Sequence, residues 1–177
     1  NMTPVQAQAR ILRDMIKYVE EQFSAVGLTA SIYYSVENNS VGDAALVSIN
    51  ELGEETFPGL FLSEPIKKGH VRRFRKGFNT THSAKISACS KLKQLIETKQ
   101  FKIKSKSLIS ELKTFVAQGI TFKAKTGQND DLVSSILLAV RMIMLLQDWD
   151  PSIYEKMRDH TGLEEHDLPL PVYISTF

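Results

Sequence analysis

Residues 31–46 read SIYYSVENNSVGDAAL, and the change of character inside this stretch sets the fold class. Ile32, Tyr33, Tyr34 and Val36 form a β-prone run that stops at Glu37 and two asparagines, as a short buried strand would. Asn39 or Ser40 then stands where a helix N-cap belongs, and the spacing predicts a helix from about Val41 to Leu52, ended by Gly53. A strand that hands over to a helix within a few residues is the repeating unit of a mixed α/β domain.

The same alternation continues on both sides. Upstream, Thr3-Pro4 resembles a cap followed by a first-turn proline. Val5, Ala9, Leu12, Ile16, Val19 and Phe23 then recur at helical spacing up to Gly27. Downstream, GLFLSE is a strand candidate, and a helix over about His82–Thr98 sets Ile86, Cys89, Leu92 and Ile96 on one face. QFKIKS alternates as a strand should, and SLISELKTFVAQ reads as a capped helix with Leu108, Leu112 and Phe115 or Val116 inward. GITFKAKTG is another alternating strand, followed by a helix over 130–148 that is apolar nearly all round and so the most buried. After Asp150-Pro151 the pattern predicts a last polar helix and an extended tail, 163–177, closing on LPLPVYISTF. The whole predicts one domain over 1–177, with a central mixed sheet and helices on both faces.

Bulk composition narrows the function classes. A chain of 177 residues with 42% hydrophobic and 24% charged residues matches an ordinary globular domain. A net charge of +2 is too small to argue for nucleic acid unless the charges cluster. One cysteine, Cys89, rules out an internal disulfide and a multi-cysteine zinc cluster, and the four histidines show no paired ligand spacing. The longest apolar run, Ile136 to Leu146, contains Arg141 and is too short to span a bilayer, so no membrane partner is expected. The polar, helix-forming N-terminal segment does not read as a signal peptide.

Two groups of residues could carry chemistry. Glu37 ends a buried strand beside a turn, a common site position in open α/β sheets, although ENNS also reads as a plain capping turn. Asp130 and Asp131 open the apolar helix, where one acid explains itself as a cap and two imply a cation. Acidic oxygen ligands without nitrogen or sulfur suit Mg²⁺ or Mn²⁺. Two such ions, roughly 4 Å apart, can activate water and stabilise a leaving oxygen in phosphodiester cleavage. The second group is basic: Lys67, Lys68, Arg72, Arg73, Arg75 and Lys76, interleaved with Phe74 and Phe78 in an exposed loop over 66–79. Such a cluster can neutralise several backbone phosphates, or simply be a solvated hairpin. No phosphate-binding loop of the G-x-x-x-x-G-K-[ST] kind occurs, which excludes that type of ATP motor, and no Ser-His-Asp or Cys-His pair stands at readable spacing.

Taken in order, SIYYSVENNSVGDAAL and HSAKISACSKLKQLIETKQFKIKSKSLISELKTFVAQGITFKAKTGQNDDLVSSILLAV resemble the C-terminal nuclease domain of the large terminase subunit of tailed bacteriophages. The resemblance covers roughly residues 30–146. It implies an RNase H-like fold and a two-metal endonuclease that cuts concatemeric double-stranded DNA during genome packaging. Glu37 matches the family's middle acid, and Asp130 and Asp131 match its late acidic pair. The implied partners are DNA, an ATPase motor domain, the portal and the small terminase subunit, in the host cell cytoplasm.

The family's first aspartate lies on an opening strand upstream of the helix with which this chain begins, and no residue here matches it. Asp14 and Asp43 lie within helices. The start at Asn1 favours loss of the opening strands, which would leave a sheet edge inviting self-association. The leading expectation is therefore a Mg²⁺- or Mn²⁺-dependent endonuclease with Glu37, Asp130 and Asp131 as catalytic metal ligands. Its rival is a catalytically incomplete RNase H-like module that binds DNA or packaging partners without cutting. A third reading makes the acids mere caps in an unrelated interaction domain.

Overall fold

The computed structural model describes residues 3–68 and 71–149; the last polar helix and the tail read from the sequence lie outside the described residues. It divides into two compact units, Asn1–Thr80 and Thr81–Phe177.

The first unit begins with helix α1, Val5–Ala25. Pro4 is its N-cap and makes no side-chain capping bond; Gln8 instead donates its amide to the Thr3 carbonyl. One face of α1 buries Ala9 and Ile16. Strand β1, Tyr33–Tyr34, follows, then helix α2, Ser40–Leu52. The Asn39 side chain caps α2 by accepting from the N–H groups of Val41 and Gly42, which is why the chain turns there. After a short 3₁₀ turn at Glu54–Thr56, strand β2, Leu60–Phe61, pairs parallel with β1. Strands β3, Ser63–Lys68, and β4, Val71–Lys76, form an antiparallel ribbon. The core joins Ala9, Ile16, Tyr34, Ile49 and Phe57. Tyr34 stacks on Phe57 with centroids 5.6 Å apart and meets Phe61 edge-on at 5.3 Å.

The ribbon is an excursion from a strand that then resumes. Leu60 N–H donates to the Ile32 carbonyl, Leu62 N–H to Tyr34, and Phe78 N–H to Val36. These acceptors are alternate residues of one extended segment, so Phe78 takes the rung that follows Leu62. Residues 63–77 therefore loop out of the ladder between neighbouring rungs. Gly77 makes the re-entry: its φ is +73°, and a Cβ there would sit 2.8 Å from the Val36 carbonyl oxygen.

The second unit packs three helices around one core: α3, His82–Glu97; α4, Lys106–Thr114; and α5, Asp131–Trp149. Thr81 caps α3 and Ser105 caps α4. Strands β5, Phe115–Gln118, and β6, Thr121–Ala124, form a hairpin turned through Gly119. Val133 and Val140 of α5 are fully buried and meet Ala88, Leu92 and Leu95 of α3 and Leu108 of α4. Helix α5 supplies the most deeply buried stripe of this unit, as its all-round apolar sequence predicts.

The architecture is mixed α/β, with helices alternating with small sheets. A single central sheet is not what the described residues form. They make three separate two-stranded ladders, because β3–β4 and β5–β6 each satisfy their backbone groups with the neighbouring strand in sequence. Locally, FVAQ is strand rather than helix, QFKIKS is extended without a ladder partner among the described residues, and Ile96 is exposed while Leu95 is buried.

Candidate nucleic-acid interface and the acidic residues

Each residue of the ENN turn has a structural role. Glu37 forms a parallel bridge with Phe78 through its backbone. Asn38 donates its amide to the Lys76 carbonyl at 2.9 Å, tying down the base of the ribbon. Asn39 caps α2. Gly42 sits so close beneath this turn that a Cβ would fall 1.6 Å from the Glu37 carbonyl oxygen. The motif thus holds strand, ribbon and helix together through backbone geometry.

The late acids are placed in the second unit. Asp130, half-buried, accepts from the Ala124 N–H at 3.4 Å, and its carboxylate lies 3.9 Å from Lys85 Nζ. The Lys85 ammonium also stands 5.3 Å from the centroid of the Phe115 ring. Asp131 is exposed in the first turn of α5. Neither side chain takes the free N–H groups of that turn. Glu111 does so from α4, accepting from Leu132 N–H at 2.8 Å and Val133 N–H at 3.2 Å. This carboxylate lines an open polar cleft of about 360 Å³ together with Ser107, Ser110, Thr114 and the 127–129 loop.

This placement corrects the expectation of a metal-dependent endonuclease. Among the described residues there is no group of three or more His, Cys, Asp or Glu side chains able to hold a metal ion. Asp130 has a lysine as its cation, and Glu37 belongs to the first unit whereas Asp130 and Asp131 belong to the second. The two-metal Mg²⁺ or Mn²⁺ site, the hydrolase activity and the nuclease assignment fall with it. Beside Lys85, the half-buried Cys89 thiol is raised above its ordinary pKa by burial, only partly opposed by the lysine charge.

The basic residues are brought together. The ribbon register sets Lys67 opposite Arg72, Ile66 opposite Arg73, Lys68 opposite Val71 and Glu64 opposite Arg75. Phe74, Arg75 and Lys76 are exposed. Lys76 pairs with Glu54 at the ribbon base, and Glu64 accepts from the Asn79 N–H at 3.0 Å. Sequence reasoning found the basic set and missed Lys85 and Glu111, whose partners lie far along the chain. No protein-family model matches the chain. Among the described residues no helix is long and apolar enough to cross a membrane.

Proposed function

We propose that this chain is a DNA-binding module that engages the double helix through its basic ribbon and does not cut it. The observation that carries the reading is the β3–β4 register, which places Lys67 opposite Arg72 on a ribbon that also exposes Arg75 and Lys76. Like charges in directly opposed positions destabilise a ladder unless a polyanion offsets them. The phosphates of DNA supply that offset, and a two-stranded ribbon is narrow enough to enter the major groove. The terminase resemblance supports the same partner. With it come an RNase H-like ancestry for the Glu37 strand and a packaging role in the host cytoplasm alongside an ATPase motor domain, portal and small subunit.

The test is a titration of labelled duplex DNA at several salt concentrations, with Mg²⁺ present. Affinity is expected to fall steeply with salt. Replacing Arg72, Arg73 and Arg75 with Glu is expected to weaken binding and lower the salt slope by about one for each phosphate left without its cation. Supercoiled plasmid is expected to stay intact. Binding that ignores salt, or survives the triple substitution, would refute the proposal.

A further inference from the structure

Two aromatic residues interleave the basic stretch, and the fold treats them oppositely. Phe78 is 3% exposed and anchors the strand that resumes after the ribbon. Phe74 is 56% exposed, lies opposite Pro65 in the ribbon register and is flanked in sequence by Arg73 and Arg75. Lys76, two residues along the same strand, shares its face. Exposure of one apolar side chain is ordinary by itself. Here a flat ring, next to a rigid proline, stands in a setting that is otherwise cationic, where an apolar protein partner would strand the charges. The complementary surface is anionic at its edges and flat and apolar at its centre, which describes a nucleobase flanked by its phosphates.

In a continuous duplex the base faces cover one another and the grooves present only base edges. Phe74 therefore meets a base face only where the stack is opened. We infer that Phe74 is a base-stacking residue whose ligand is DNA with unpaired or unstacked bases, which the ribbon prefers over a continuous duplex. This rests on the DNA-binding reading and adds a preference to it.

The experiment compares a perfectly paired duplex with the same duplex carrying a short mismatched bubble, at one salt concentration, by fluorescence anisotropy. Stacking on one base predicts roughly 5- to 150-fold tighter binding to the bubble. Phe74→Ala is expected to reduce bubble affinity to the duplex level while leaving duplex affinity and its salt slope unchanged, which also shows that the variant folds. Phe74→Trp is expected to keep the preference and to quench 2-aminopurine placed in the bubble. Equal affinity for the two DNAs, or a preference that survives Phe74→Ala, would overturn the stacking role with duplex binding left standing. Failure of the unsubstituted chain to bind either DNA would overturn the DNA reading itself.

Discussion

Glu111 Oε2 lies 2.8 Å from the amide nitrogen of Leu132, so a residue in the middle of α4 caps the first turn of α5. It also reaches the Val133 amide, and these are the N–H groups an ordinary N-cap side chain would take. Glu111→Ala is expected to destabilise the protein by about 1–2 kcal/mol in denaturant titrations. Glu111→Gln keeps an acceptor and is expected to lose less. Asp131→Ala, at an exposed position, is expected to cost under about 1 kcal/mol. A larger loss at Asp131 than at Glu111 would contradict the assignment of the cap.

Gly42→Ala tests the packing of the ENN turn. The added carbon would lie 1.6 Å from the Glu37 carbonyl oxygen, a backbone atom that cannot move without disturbing the bridge to Phe78. A loss of more than about 3 kcal/mol is expected, against the modest gain that alanine normally gives within a helix. Thermal melts of the two proteins settle it.

Tyr34 is 3% exposed between Phe57 and Phe61, and burial, with the Glu54 charge adding to it, pushes its phenol from 10.0 up to about 12. Folding thus favours the protonated phenol. That contribution to stability is fully present below pH 10.0 and is lost as pH rises through about 12. Absorbance titration of the tyrosinates is expected to show one residue ionising late, and Tyr34→Phe is expected to remove that phase.

Magnesium or manganese ions are expected to leave the melting temperature unchanged at moderate ionic strength, because a ligand stabilises a protein only by binding its folded state. Asp130→Asn removes the partner of Lys85 without creating or destroying an ion site. The melting temperature of this variant is expected to be equally insensitive to either ion. A manganese-dependent rise abolished by Asp130→Asn would restore the metal reading.

The ladder geometry predicts that the ribbon can be removed. Deleting residues 63–77 and joining Leu62 to Phe78 through one residue keeps both on successive rungs of the Ile32–Val36 segment. The shortened protein is expected to retain its helical circular-dichroism signal and to lose DNA binding. Global unfolding of the shortened chain would show that the ribbon is integral to the core.

The sequence was most informative where a local interaction decides the structure. Asn39 caps α2 within four residues of the strand it follows, and Ser105 and Thr81 do the same for their helices. It misled where distant partners decide. Leu108, Leu112 and Phe115 keep helical spacing, yet the chain leaves the helix at Thr114, because Phe115–Gln118 finds a ladder partner in Thr121–Ala124. Conversely, residues 101–105 alternate between half-buried and exposed as a strand would, without a ladder to join. The acidic pair looked like a site because its neutralising lysine and the true capping carboxylate, Lys85 and Glu111, are remote in sequence.

Because the ribbon leaves and rejoins the ladder at neighbouring rungs, its length is uncoupled from the register of everything beneath it. Adding or removing opposed residue pairs changes the reach of its cationic surface while Leu62 and Phe78 keep their places. The entropy of closing a longer excursion grows only by about 0.6 kcal/mol for each doubling of its length. The ribbon can thus vary in reach and charge with little penalty to the fold that carries it.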